Sequence, residues 1–208
     1  MSNKGFLFFT ESKTIAFLFL LSVSISIIHT QGMWKLAKNK KGIKVYVSEI
    51  PDSDYYAFKA VMVVNATEIE VVKLLKDVRK YPEWFAFTAS TKLINQTINE
   101  QSFFMETDYP WPYSNECMNY HMEFVKLQDK KQKITITGTN KSTNCKKSLK
   151  KADGYILLEP ERGNTKISYY FHSEPSQNIP TWLINPMIHE MPYRTFISMR
   201  KRLNSLNP

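Results

Sequence analysis

Apolar and polar side chains alternate along most of the chain. Over residues 55–64, Tyr56, Phe58, Ala60, Met62 and Val64 share one face while Lys59 lies on the other, which reads as a strand with one buried side. Residues 43–47 read the same way. The period changes after Asn65-Ala66-Thr67. Thr67 with Glu70 forms a capping-box pattern, and Val71, Leu74, Leu75 and Val78 follow at helical spacing until Pro82 stops them. Tyr81, Trp84, Phe85 and Phe87 crowd around that stop. Alternation then resumes over 91–98, 103–109, 116–127, 133–139, 154–158 and 166–172. The turns between these runs, at Asn99-Glu100, Asp129-Lys130 and Arg162-Gly163-Asn164, are short, so neighbouring strands are expected to be antiparallel. The end is helical again. Pro180 suits a first helical turn, Pro186 and Pro192 are expected to kink or segment the helix beyond it, and Phe196, Met199, Leu203 and Leu206 form an apolar stripe. The order predicts an α+β fold: a curved antiparallel sheet with one amphipathic helix across its concave face.

Residues 14–28 carry no charge and follow Lys4 and Lys13, the pattern of an export leader. The run is shorter than most spanning helices. A cleaved signal peptide, an uncleaved anchor and a buried helix of the fold all remain open for residues 1–32, and the first two export the domain at 33–208. Export makes a disulfide permissible. With the strand from Lys133 extended to residue 143, pairing across Asp129-Lys130 brings Cys117 and Cys145 together on adjacent strands, so a cross-strand disulfide is expected, with two free thiols as the alternative. Two cysteines cannot build a zinc site alone.

Composition is that of one ordinary soluble domain. The 208 residues are 43% hydrophobic and 23% charged, with 6 glycines, and they show no repeat and no long linker. The net charge of +9 favours anionic partners. Its lysines are scattered, however, and no zinc spacing or RNA-binding signature accompanies them. A solvated basic surface that touches anionic membranes transiently is therefore expected, without nucleic acid. Asn65, Asn95 and Asn140 head N-x-[ST] sequons.

Four segments in order carry a family resemblance. The run YPWPYSN at 109–115 resembles the Y-P-x-P-x-S-N segment of START domains, the StAR-related lipid-transfer modules. GYILLEP at 154–160 resembles a strand of that family ending in proline. YYFHSEPSQNIPTWLIN at 169–185 resembles its approach to the terminal helix, with I-P-x-W-L-x-N. Trp34 with GIKVY at 42–46 resembles its opening strand, and Trp84 stands where the family has a tryptophan after its first long helix. The resemblance spans about 33–206. It implies a helix-grip fold, in which the sheet wraps around the long C-terminal helix and encloses a hydrophobic cavity for one lipid or sterol-like molecule. Two departures stand out: Glu116-Cys117 replaces the usual Arg-Asp after the S-N pair, and Gln177-Asn178 replaces a glycine pair.

A lipid cavity needs apolar walls and a few polar groups to fix one end. Aromatic residues supply large area at little entropy cost. The expected ligand-binding set is Trp84, Phe87, Trp111, Tyr113, Glu116, Tyr120, Tyr155, Tyr169 and Phe171, with Trp182, Leu183, Met187, Phe196 and Met199 from the terminal helix. Glu116 either enters the cavity or faces solvent. No G-x-S-x-G, H-E-x-x-H, P-loop or G-x-G-x-x-G occurs, so neither a catalytic set nor a cofactor is expected. The sequence favours a monomeric carrier. An aromatase- or cyclase-like enzyme on the same fold and a partner-binding domain with a vestigial cavity are the alternatives.

Overall fold

The computed structural model describes residues 33–140 and 145–206, so residues 1–32, with the expected signal peptide or anchor, lie outside the described residues. Nine strands form one antiparallel sheet: β1 (Lys35–Lys40), β2 (Ile43–Ile50), β3 (Ser53–Val64), β4 (Thr88–Gln96), β5 (Glu100–Thr107), β6 (Glu116–Lys126), β7 (Gln132–Thr139), β8 (Lys151–Glu161) and β9 (Asn164–Glu174). Helix α1 (Glu68–Lys76) and a 3-10 turn (Val78–Glu83) lie between β3 and β4, and helix α2 (Thr181–Leu206) follows β9. The spatial order is β1-β2-β3-β9-β8-β7-β6-β5-β4. One long crossover thus pairs β3 with β9, and every other neighbour is a sequential hairpin.

Burial follows the alternation. Phe58, Ala60, Met62 and Val64 on β3, Met118, Tyr120, Met122 and Phe124 on β6, and Ile167, Tyr169 and Phe171 on β9 are all buried. α2 packs against β3, β2 and β1. Gly154 has a specific role: a Cβ there would come within 2.2 Å of the Tyr170 carbonyl and 2.6 Å of the Phe171 ring. Only glycine lets these strands approach so closely. The β8–β9 turn places Arg162 and Gly163 at φ 50° and 83°, the left-handed pair that a two-residue hairpin requires.

Three expectations are corrected. β1 is a strand that alternation does not signal, because it is an exposed lysine-rich edge with no buried face. α1 ends at Lys76, where the Asp77 N–H turns back to the Leu74 carbonyl; Val78 and Pro82 then sit in the tighter 3-10 turn. α2 is assigned as one helix of 26 residues with both Pro186 and Pro192 inside, so it is not segmented. The capping box is present: the Glu70 N–H donates to Thr67 Oγ1 at 3.3 Å and the Thr67 N–H to Glu70 Oε2 at 2.7 Å. Among the described residues no helix is long and apolar enough to cross a membrane.

Candidate functional site: a hydroxyl-lined cavity under the terminal helix

The concave face and the first half of α2 border a partly open cavity of about 100 Å³. The sheet contributes Tyr56 and Phe58 from β3, Phe103, Met105 and Thr107 from β5, and Tyr120 and Met122 from β6. Ile136 comes from β7, and Tyr169, Phe171 and Ser173 from β9. α2 closes the roof with Ile184, Met187, Ile188 and Met191, one turn or less apart along a single stripe. The segment after the 3-10 turn adds Phe85, Ala86 and Phe87, with Tyr81 from the turn itself. Among the described residues, no Lys, Arg, His, Asp or Glu side chain lines the void.

Five of the sequence-expected ligand residues lie on this wall: Phe87, Tyr120, Tyr169, Phe171 and Met187. Phe87 adopts φ 57°, an uncommon conformation for a bulky residue. It also borders an outer groove shared with Asp108, Arg194 and Ser198, and the Arg194 guanidinium sits 5.6 Å over its ring.

The other expected residues lie elsewhere. Trp84 is buried beside Tyr81 at 5.1 Å, off the void, and its Nε1 finds no partner. Trp111 is 91% exposed and Trp182 is 74% exposed. Tyr155 stacks on Tyr170 at 5.3 Å across β8 and β9, the pair sitting on the strand positions that alternate with the cavity-facing Tyr169 and Phe171. Tyr113 and Leu183 are half-buried and do not reach the cavity wall. Phe196 and Met199 are each 1% exposed and belong to the solid core, since both join the main buried cluster. The side chain of Leu206 lies outside the described residues.

The residues that sequence reasoning missed were signalled there. Phe103, Met105 and Thr107 share one face of β5 by simple alternation, as do Tyr120 and Met122 on β6. Ile184, Met187, Ile188 and Met191 form a 3-1-3 stripe that the flanking prolines obscure. Tyr109, Leu149 and Pro175 line the void from loops, where no periodicity applies.

Glu116 is fully buried, neither in the void nor in solvent. Its carboxylate accepts from the Ser176 N–H at 2.8 Å, the Ser176 hydroxyl at 2.8 Å and the Gln177 N–H at 2.9 Å. It therefore holds the segment leading into α2. Gln177 extends the tie: its amide donates to the Ser114 carbonyl at 2.6 Å and accepts from the Ser114 N–H at 3.0 Å and Lys147 Nζ at 2.8 Å. Both departures from the family pattern thus meet at one junction beside the cavity.

Cys117 and Cys145 stand close, with Cα atoms 6.2 Å apart, within disulfide reach. The β6–β7 hairpin expected to bring them together is not what does so. β7 ends at Thr139, and the chain after the undescribed 141–144 returns alongside β6, where the Cys117 N–H donates to the Lys147 carbonyl and the Leu149 N–H to the Cys117 carbonyl, each at 3.1 Å. Cys145 approaches from this returning segment.

No family model matches the chain. An uncharacterized protein of Pseudomonas aeruginosa is 29% identical over 171 residues, covering 80% of this chain and 85% of the relative. The crystal structure of a STAR-related lipid transfer protein fragment from Xanthomonas axonopodis superposes with a TM-score of 0.77 at 29% identity, covering 82% of this chain and 98% of that one. The chain carries a START domain of the helix-grip fold. The START domain is also 23% identical over 187 residues to the mouse acyl-coenzyme A thioesterase 11, of whose length it spans only 30%.

Proposed function

We propose that this START domain binds one hydrophobic molecule in the cavity and carries it between membranes without transforming it. The largely apolar void beneath the first half of α2 is the observation that supports this most. Burying an acyl chain or sterol there is worth about 0.8 kcal/mol per methylene, so affinity needs no charged group. At about 100 Å³ the void is smaller than the ~300–1,000 Å³ of pockets that hold drug-sized ligands. Loading a whole lipid therefore requires the roof to move. An enzymatic reading would need one of the wall's phenol or alcohol hydroxyls to be activated by an adjacent base, and among the described residues no His, Asp, Glu or Lys lines the void to do so.

Native mass spectrometry of the purified protein tests the proposal. One co-purifying apolar mass is expected, lost in Ile136→Trp while the circular dichroism spectrum is retained. An empty protein that also takes up no fluorescent lipid overturns it.

The same reading includes export, a monomeric state and transient docking on anionic membranes. The charged start and apolar run of the leader and the close cysteines support export. The net charge of +9 supports docking, as do exposed Trp111 and Trp182, which flank the Ser114–Gln177 junction. Tryptophan favours the membrane interface, and salt screens the charge attraction. Transfer from anionic vesicles should weaken with salt, and salt-independent transfer removes docking from the mechanism.

A further inference from the structure

We propose that the part of the ligand enclosed by the cavity is uncharged and presents an accepting oxygen, a carbonyl, ester or hydroxyl, to the hydroxyls of Tyr109, Tyr120 and Tyr169. This deepens the carrier reading and rests on it.

The polar groups of the wall are not all free to bind. Tyr81 has spent its hydroxyl: it donates to the Leu75 carbonyl at 2.6 Å. Tyr120 and Tyr169 are only 4% and 3% exposed, yet their hydroxyls bond to no described residue. Neither oxygen belongs to the buried polar atoms sealed without a partner, which among the described residues are Trp84 Nε1 and Asn185 Oδ1. The surface that each hydroxyl retains therefore gives onto the void that both residues line. Tyr109 lines the same void, and its hydroxyl likewise has no partner among the described residues.

Buried hydroxyls are normally hydrogen-bonded, so several left open toward one cavity form a site awaiting a partner. Burial is the first cause pushing all three phenols up, which keeps them protonated donors at any physiological pH. All three residues line the same cavity, so their hydroxyls converge on one volume. Donors of this kind complement an accepting oxygen. An ionised head enclosed here would lack a counter-charge, since no basic side chain lines the wall, and burying an unpaired charge is prohibitive. Glu116, the charged residue nearest the family's usual charge pair, is consumed by Ser176 and Gln177.

Four probes of equal chain length test the proposal at pH 9: 1-octadecene, oleyl alcohol, methyl oleate and oleate. The alcohol and ester are expected to bind at least tenfold tighter than the hydrocarbon and than ionised oleate. Tyr120→Phe and Tyr169→Phe should each weaken alcohol and ester binding roughly three- to tenfold, leaving octadecene unchanged. Tyr155→Phe, on the pair that stacks away from the cavity, is the control, expected to leave this selectivity unaltered. Oleate binding as tightly as oleyl alcohol, or selectivity surviving both substitutions, overturns the ligand class while the carrier reading stands. Binding of none of the four by a folded protein overturns both.

Discussion

The two halves of α2 are one helix doing two different jobs. From Thr195 onward its buried face is solid: Phe196, Met199 and Leu203 are 1%, 1% and 0% exposed and merge with the core formed by Ile43, Val45, Ala60 and Met62. From Thr181 to Met191 its apolar stripe faces a void. What holds the first half is largely polar and peripheral. Glu116 clamps Ser176 and Gln177, Tyr55 donates to the Ile179 carbonyl at 3.4 Å, and Lys38 reaches Glu190 from β1. Pro192, which cannot donate to the Ile188 carbonyl, stands at the boundary. A roof held by ties can lift while an anchor held by packing stays put, as the proposed carriage of a whole lipid would require.

The largest effect expected from this contrast is in the core. Leu203→Ala should destabilise the fold by about 3–4 kcal/mol, whereas Met187→Ala, which already borders empty space, should cost about 1 kcal/mol or less. Urea denaturation of the two variants measures this directly. Equal losses would mean that the two halves are packed alike. The cysteine pair comes next. If Cys117 and Cys145 are bridged, closing a loop of separation 28, Cys145→Ser should cost about 3 kcal/mol under oxidising conditions and nothing in reductant. Thiol titration of the denatured protein without reductant should find no free thiol; two would remove the bridge.

Glu116→Gln tests the ties themselves. The substitution keeps the shape but removes the charge that three donors share, for an expected loss of about 2 kcal/mol. It should also speed exchange of a bound fluorescent lipid, measured by stopped flow. A stability loss with unchanged exchange would make the clamp a fold element with no part in gating.

Most of the sheet was legible because strands β2, β3 and β6–β9 each bury one face, and burial writes alternation into sequence. β1 was not, since an edge strand of exposed lysines has nothing to alternate. The cavity was legible only in part. Alternation places Tyr120, Tyr169 and Phe171 on an inner face, but it cannot distinguish a side chain touching a void from one touching another side chain. Phe196 and Met199 share the helical stripe logic of Met187 and differ only in how closely the sheet approaches. Glu116 was out of reach for another reason: its donors are backbone N–H groups of Ser176 and Gln177, which every sequence has and whose positions only the fold fixes.

The smallest expected effect concerns His172, at the end of β9 just before the clamped segment. It is 4% exposed, and its Nε2 lies 3.1 Å from Ser53 Oγ and 3.7 Å from Glu174 Oε1. Burial is the main cause lowering its pKa below 6.5, with Lys151 adding to it, while Glu174, the hydrogen bond with Tyr55 and Asp153 oppose it. The folded state thus prefers neutral imidazole. The stability this contributes is complete above the unfolded value of 6.5 and is lost as the pH falls through the lowered folded value. Because the opposing groups offset part of the burial, the loss should be smaller than that expected for Glu116→Gln. Its place gives it a local readout. Charging His172 disturbs the strand end from which the roof hangs, so the protection factors of the Ser176 and Gln177 amides, corrected for the intrinsic pH dependence of exchange, should fall as the pH drops below 6.5 before any change at Leu203. His172→Gln should flatten that fall. A fall of equal size at both ends of α2 would mean that the helix opens as one body, and the division at Pro192 would go with it.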